Sequence, residues 1–194
     1  MEHVRRTICK GPQSIAAYSK KSIWLRAAAV LILFALAGPV ESQGTRLLRQ
    51  PTISAEHVVF VYGGDLWITS VTGGGARRLT STPAVESHPQ LSPNGKHLAF
   101  TSNRSGVQAV YVLPLQGGTP KRLTWYPASA RVSGWTPDGK RVIYASTRET
   151  APVSYDRLWT VDAQGGPASL LPAPFGTRGS FAQDGNRIVV ERLG

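Results

Sequence analysis

The residues of this 194-residue chain that could carry out chemistry are few and widely spaced. His57, His88 and His97 lie in different segments, and none belongs to an H-E-x-x-H arrangement, which would place two imidazoles on one zinc ion. No G-x-S-x-G nucleophile motif occurs either. A catalytic triad meets only in space, yet no nucleophile stands out. We therefore predict no catalytic residue, no metal site and no cofactor-binding residue.

The charged residues are better explained by structure than by binding. Asp138 and Asp184 each precede a glycine and lack the spacing of a calcium loop, so both are interpreted as turn residues. Arg77-Arg78 and Lys121-Arg122 each precede Leu-Thr. A nucleic-acid surface requires such bases clustered with stacking aromatics, and the third equivalent segment, PASLLP, has no base. We expect these bases on exposed outer strands, and no nucleic-acid partner.

The N-terminal segment has the pattern of an export signal. Six basic residues are scattered over residues 5–26, and the apolar run AAAVLILFALAG follows at 27–38. Twelve residues are short for a membrane span, which needs about 20, but they suit the apolar region of a signal peptide. We predict a signal peptide over 1–42, with cleavage after Ser42 favoured over Ala37, and an uncleaved anchor as the alternative. The protein is expected to be periplasmic or secreted, with no other membrane contact.

Removal of the predicted signal peptide would change the net charge and the cysteine content of the protein. The whole chain has a formal net charge of +11. Residues 43–194 retain 16 basic and 9 acidic residues, a net charge of +7. The single cysteine, Cys9, lies in the predicted signal peptide. The mature chain would therefore contain no disulfide, thiolate metal site or cysteine nucleophile.

The turns and strands that must position these residues are predicted by repeated sequence segments. SPNGKHLAFTS (92–102), TPDGKRVIYAS (136–146) and AQDGNRIVVER (182–192) share one frame, to which ISAEHVVFVYG (53–63) also aligns. In three of them Asn-Gly or Asp-Gly predicts a tight turn, and a run rich in β-branched and aromatic residues predicts a strand after it.

A second phrase follows the first at a fixed distance. It carries an aromatic residue six positions before a Gly-Gly pair, and the pairs at 73–74, 117–118 and 165–166 are 44 and 48 residues apart. A third short segment precedes each Asn-Gly or Asp-Gly turn. Four short strands in about 44 residues match one blade of a β-propeller. A sandwich or a β-helix explains the repeats less well.

The repeats predict an all-β fold with an incomplete ring. We place blades at about 45–91, 92–135 and 136–181, and the start of the next at 182–194, within a partial propeller spanning 43–194. Closed propellers have typically four to eight blades, so the chain is expected to be a fragment or to assemble with other chains. Its open blade edge could support self-association.

The repeated aromatics have two interpretations. Trp67, Tyr111 and Trp159 occupy equivalent positions, as do Trp135 and Phe181. They could form a ligand platform, but a residue type that recurs at one structural position is typical of packing between neighbouring blades. We expect packing for both groups.

The combination of these motifs resembles a known family. LLRQP, GDLW, GGGARRLTS and GWTPDGK, in this order, resemble the opening of the tricorn protease family, over essentially all of residues 45–194. More loosely, the SPDGK-type phrase with Gly-Gly and Arg-Leu-Thr is similar to TolB-like propellers.

The resemblance implies that the propellers and the catalytic core have separate roles. In tricorn-like enzymes two propellers are followed by a PDZ-like module and a C-terminal serine peptidase core, and the propellers are thought to act as a sieve or channel for peptides. No position of this chain matches that core. The resemblance implies a non-catalytic scaffold that meets peptides or protein partners at the propeller channel. The alternative is a TolB-like periplasmic module that binds protein partners.

Overall fold

The computed structural model describes residues 47–173, 175–182 and 184–192, and these residues are all-β. They contain no helix, and hence none long and apolar enough to cross a membrane. The predicted signal peptide lies outside the described residues. In chain order the strands are β1 (Arg49–Ile53), β2 (His57–Tyr62), β3 (Asp65–Ser70), β4 (Arg77–Arg78), β5 (Glu86–Leu91), β6 (His97–Ser105), β7 (Val107–Pro114), β8 (Lys121–Arg122), β9 (Ala130–Trp135), β10 (Arg141–Ser146), β11 (Arg157–Asp162), β12 (Ser169–Leu170), β13 (Arg178–Phe181) and β14 (Ile188–Glu191).

The strands form four antiparallel sheets in consecutive order. Sheet 1 contains β1 to β4, sheet 2 contains β5 to β8, sheet 3 contains β9 to β12, and sheet 4 contains β13 and β14. Every neighbour in a sheet is also a neighbour in sequence, so each sheet is a simple meander. Three four-stranded meanders followed by the start of a fourth are the propeller blades that the repeats predicted.

The observed sheets begin one strand earlier than the blade boundaries predicted from the sequence repeats. Those boundaries assigned 86–91 and 130–135 to the ends of their preceding blades. In the structure β5 pairs with β6 and β9 pairs with β10, across the Asn-Gly and Asp-Gly turns. The turn that marks each repeat is therefore the hairpin between the first two strands of a sheet. Its two arms must lie in one sheet because a tight turn joins adjacent antiparallel strands.

The core lies between the sheets, and sheet 2 shows this best. Leu98, Ala99 and Phe100 follow one another on β6 and are all fully buried. Leu98 and Phe100 pack in one apolar cluster with residues of sheet 1, whereas Ala99 packs in a second cluster with residues of sheet 3. Successive side chains of a strand point to opposite faces, so a strand that is buried on both sides needs a continuous apolar run.

Candidate functional site: the inner-strand surface

The repeated Asn-Gly and Asp-Gly phrase forms a stack of turns. In each turn the side-chain oxygen of the Asn or Asp accepts a hydrogen bond from the amide two residues later, at 3.0 Å in all three copies. A Cβ built on Gly139 would lie 3.6 Å from Cδ of Pro93, in the preceding turn of the same kind. Each glycine of the three turns has a φ between 66° and 72°, which favours glycine. The turns are therefore scaffold.

The first strands of the four sheets lie side by side and form one surface, which we call the inner-strand surface. Strand β1 contacts β5, β5 contacts β9, and β9 contacts β13. Because β1, β5, β9 and β13 belong to different sheets, side chains rather than a backbone ladder connect them. Such a row of first strands lines the central channel in a propeller.

Specific hydrogen bonds hold these strands together. Gln50 Oε1 accepts from the His88 amide at 2.7 Å, and Trp135 donates from its indole nitrogen to the Gln90 carbonyl oxygen at 2.9 Å. Between β9 and β13, the Ser133 hydroxyl donates to the Gly179 carbonyl oxygen at 2.9 Å and accepts from the Gly179 amide at 2.7 Å. The inner-strand surface is thus built from polar contacts whose partners are fixed.

A small cavity of about 170 Å³ opens on this surface. Its polar side chains come from four strands: Gln50 from β1, His88 from β5, Ser133 from β9 and Arg178 from β13. Gln50 and His88 both have positive φ angles, of 49° and 51°, which are unusual for residues other than glycine. These two strained residues are hydrogen-bonded to each other, and such strain concentrates at functional positions.

The electrostatics of the cavity are dominated by arginines. Burial lowers the pKa of His88, and the positive charges of Arg131 and Arg178 lower it further. His88 is therefore a neutral imidazole at neutral pH. Arg131 forms an ion pair with Asp156. Arg178 is only 3.8 Å from Glu191 but is two-thirds exposed, so solvent screens that pair and leaves the guanidinium accessible.

A serine lies beside this histidine, but the pair is not arranged for nucleophilic catalysis. The Ser87 hydroxyl and Nδ1 of His88 are 3.1 Å apart. A catalytic imidazole is normally oriented by a carboxylate that stabilises its protonated form. The charged groups that act on His88 are two arginines, which disfavour that form. The surface can hold hydrogen-bonding and acidic groups of a ligand, and its geometry does not activate Ser87.

The other two histidines lie elsewhere. His57 and His97 begin β2 and β6, and both line a larger cavity of about 620 Å³ between sheets 1 and 2. His88 is not part of it. Within the described residues no group of three or more His, Cys, Asp or Glu side chains could hold a metal ion.

The paired basic residues lie on the outermost strands, β4 and β8, as predicted. They are not simply solvated, however. Arg77 donates from Nη2 to the carbonyl oxygen of Leu115 in sheet 2, at 2.8 Å. Lys121 donates in the same way to the carbonyl oxygen of Gln164 in sheet 3. The bases of the outer strands therefore connect neighbouring sheets.

Three of the five repeated aromatics are buried between sheets, and the other two are only partly buried. Tyr111, Trp159 and Trp135 are buried in the apolar clusters, as expected. Trp67 is only partly buried, and it makes an edge-to-face contact with Tyr62 at a ring distance of 6.0 Å. Phe181 is also partly buried. Neither group forms a shared platform on the inner-strand surface.

Sequence reasoning missed the inner-strand residues. His88 and Arg178 come from segments that were interpreted only as additional strands, and Gln50 comes from LLRQP, which served only as a motif of the family resemblance. The types of these residues do not repeat from one unit to the next. The one sign of these positions in the sequence is that their residue types differ between repeats. Positions that serve only the fold keep their residue types from one repeat to the next, whereas binding positions need not.

The family can now be assigned. Residues 45–194 match the family described as the tricorn protease N-terminal beta propeller domain. Tricorn protease homolog 1 of Streptomyces coelicolor is 35% identical over 79 residues, which are 41% of this chain and 7% of that relative. The Tol-Pal system protein TolB of Bordetella pertussis is 38% identical over 48 residues, which are 24% of this chain and 11% of that protein.

A solved structure agrees with the sequence matches. The crystal structure of the tricorn protease superposes on 72% of this chain and 14% of that chain, with a TM-score of 0.63 and 26% identity. The chain thus spans only a small part of the relatives that it matches. By its repeats, its meander sheets and the match over 45–194, this chain belongs to the family of tricorn protease N-terminal β-propeller domains.

Proposed function

We propose that this chain is the non-catalytic propeller module of a tricorn-like serine peptidase. Its inner-strand surface receives peptide segments, and their hydrolysis takes place in a part of the protein outside this chain. The observation that carries the proposal is the family match over residues 45–194 together with the polar cavity at the inner-strand surface. Peptides present carbonyl oxygens and carboxylates, which suit the guanidinium of Arg178.

Binding and hydrolysis of peptides by the full chain test this proposal. A mixture of unstructured peptides should bind without being cleaved, and the double variant Arg131→Gln/Arg178→Gln should bind more weakly. Lys140→Gln removes an exposed charge from a turn and serves as the matched control. Hydrolysis that a single substitution in this chain abolishes would disprove the non-catalytic role, and unchanged binding by the double variant would disprove the role of the surface.

A second candidate function is a binding module for folded protein partners, as the similarity to TolB of Bordetella pertussis suggests. Propeller surfaces offer several loops at one end for such contacts. Binding of unstructured peptides favours the first function. Capture of a folded partner, without affinity for peptides, favours the second.

We also propose that the protein is exported and that residues 1–42 act as its signal peptide. The basic segment and the apolar run at 27–38 support this proposal. N-terminal sequencing of the exported protein should begin at Gln43. A mature protein that still begins at Met1 would contradict cleavage.

Self-association is the last element of the proposal. Val189 of β14 and Ile53 of β1 are 75% and 71% exposed, respectively, so each of these strands carries an apolar side chain in contact with water. Exposed apolar strands favour association. Sedimentation of the full chain over a range of concentrations should show a concentration-dependent increase in mass.

A further inference from the structure

Two successive connections between sheets share five of nine residues, and three of their four differences bear on binding. Residues 78–86 read RLTSTPAVE, and residues 122–130 read RLTWYPASA. The offset is 44 residues throughout. Ser81 and Thr82 are replaced by Trp125 and Tyr126, and the acid Glu86 is replaced by Ala130. Glu86 and Ala130 occupy equivalent backbone positions in their sheets, because Glu86 pairs with Ser102 in β6 and Ala130 pairs with Ser146 in β10.

In sheet 2 the acid has a dedicated partner. Glu86 is fully buried, and its Oε1 accepts from Nη2 of Arg104 at 2.6 Å. The Thr82 hydroxyl also donates to Oε1, at 3.2 Å. The guanidinium of Arg104 lies over the Phe100 and Tyr111 rings, at 5.4 and 4.9 Å from their centroids. This arginine is therefore neutralised inside the protein by a carboxylate of its own sheet.

In sheet 3 the arginine is kept but the acid is lost. Arg148 lies 44 residues after Arg104, and its amide donates to the Ser146 hydroxyl at 3.2 Å, as that of Arg104 does to Ser102. Its guanidinium lies between two aromatic rings, 4.7 Å from the centroid of Tyr126 and 4.2 Å from that of Trp159. Ala130 stands at the equivalent position of the acid. The buried charge-pair arrangement of sheet 2 is therefore present without its carboxylate.

The remaining contacts of Arg148 do not replace that carboxylate. Nη2 donates to Oε1 of Glu149 at 2.7 Å, but the Glu149 side chain is half exposed, so solvent screens this pair more than it screens the pair of Arg104 with the buried Glu86. Glu149 has a φ of 61°, an unfavourable backbone conformation for this residue. Nε of Arg148 is buried and has no hydrogen-bond partner among the described residues. A buried donor without a partner costs free energy. The equivalent Nε of Arg104 donates to the Ser102 hydroxyl at 3.0 Å, so the guanidinium in sheet 3 is less completely paired than that in sheet 2.

A cavity of about 460 Å³ lies beside Arg148. The side chains that matter for binding are Thr124, Trp125, Tyr126, Ala130, Tyr144 and Arg148. The volume is comparable to that of a small-ligand pocket. At its rim Trp125 is 74% exposed, and Arg122 stacks on its ring at 4.5 Å. The cavity thus combines a cation at its wall with an exposed aromatic surface at its opening.

We propose that this cavity binds an acidic side chain of an extended peptide segment of a partner protein. The Asp or Glu carboxylate displaces the half-exposed Glu149 from Nη2 of Arg148, the atom that in Arg104 pairs with Glu86. An apolar neighbour of that acid packs against Trp125. Charge complementarity supports this occupant, because residues 43–194 carry a net charge of +7 and an arginine pairs strongly with a carboxylate. The site is distinct from the inner-strand surface, and variants at Arg148 and Ala130 distinguish binding here from binding there.

Calorimetric titration of the full chain with a matched pair of peptides tests this proposal. The probe is acetyl-Ala-Pro-Leu-Glu-Leu-Pro-amide, and its control carries Gln in place of Glu. Both ends are blocked, so the side chain is the only carboxylate. We expect the Glu peptide to bind about tenfold to a hundredfold more tightly than the Gln peptide, as for a hydrogen bond to a charged group. Equal affinities would overturn the proposal.

Two variants locate the binding. Arg148→Gln removes the cation, and Ala130→Glu supplies the internal carboxylate that sheet 2 already has. Both should reduce binding of the Glu peptide at least about tenfold, whereas Lys140→Gln should leave it unchanged. A cooperative melting transition of Ala130→Glu shows that this variant is folded. An Ala130→Glu variant that is folded and binds normally would overturn the proposal.

Two further probes separate the alternative occupants. The Gln peptide with a free C-terminal carboxylate tests recognition of a chain end, and sodium glutarate tests recognition of a small acid. Either probe binding as tightly as the Glu peptide would overturn the assignment to an acidic side chain. Weaker binding of both supports it.

Discussion

Arg77 of the outermost strand of sheet 1 donates a hydrogen bond of 2.8 Å from Nη2 to the carbonyl oxygen of Leu115, in sheet 2. Lys121 makes the same kind of contact from sheet 2 to Gln164 in sheet 3. In both cases the acceptor lies just before the Gly-Gly turn of the next sheet. The bases of the GGGARRLT and GGTPKRLT phrases thus join the outermost strand of one sheet to the neighbouring sheet.

Arg77→Ala should destabilise the protein by about 1 kcal/mol, because a hydrogen bond between sheets is lost at a site that remains open to water. Urea unfolding of the full chain measures this change. Lys140→Ala provides the control, since its side chain is exposed in a turn. An equal effect of both substitutions would show that Arg77 acts through general charge and not through its bond to Leu115.

Thr124→Val should cost more, about 1 to 3 kcal/mol, because a buried amide loses its acceptor. The Thr124 hydroxyl accepts from the Val110 amide at 2.9 Å. Thr80 does the same for the Leu66 amide, so the threonine of the Arg-Leu-Thr phrase has a fixed structural role. Urea unfolding is again the measurement, and the exposed Thr119→Val is the matched control. A loss no larger than that of the control would contradict this role.

The repeats made most of the fold predictable. Asn-Gly and Asp-Gly pairs, Gly-Gly pairs and β-branched runs mark turns and strands through local backbone preferences, which do not depend on the rest of the molecule. The strand at which each sheet begins was harder to predict, because a repeated sequence alone does not show where one structural unit ends and the next begins. The meander topology places the boundary before Glu86 and not after Leu91.

The candidate sites were less predictable because they depend on departures from the repeat. Beside Arg148 Ala130 stands where the previous unit has an acid, and the meaning of this difference appears only when the pairing of Glu86 with Arg104 is known. The cluster of Gln50, His88 and Arg178 combines residues from three sheets. No spacing in the sequence indicates which of their side chains meet.

Gly139→Ala should destabilise the protein by about 1 kcal/mol, the cost of a left-handed backbone for a residue with a Cβ. The φ of Gly139 is 67°, and the nearest atom to an added Cβ is Cδ of Pro93 at 3.6 Å, an ordinary contact. The cost therefore comes from the backbone and not from a clash. Gly139→Asn should lose less, since asparagine tolerates this conformation. Urea unfolding of both variants tests the comparison, and a larger loss for Asn would point to steric crowding.

His88 should make the stability of the protein depend on pH. Burial and the charges of Arg131 and Arg178 lower its pKa below the ordinary value of 6.5. Between that lowered value and 6.5 the unfolded chain binds more protons than the folded one, so the free energy of unfolding decreases as the pH falls. His88→Asn removes the titration, and asparagine tolerates the φ of 51° found at this position.

The stability of the two proteins should therefore be compared by urea unfolding at about pH 7.5 and about pH 5, on either side of an ordinary histidine pKa. The original chain should lose more stability than His88→Asn over this interval. All other side chains are the same in both proteins, so their contribution cancels in the comparison. Equal losses would mean that the inner-strand surface accommodates a protonated His88, and that the two arginines do not act on it as their positions indicate.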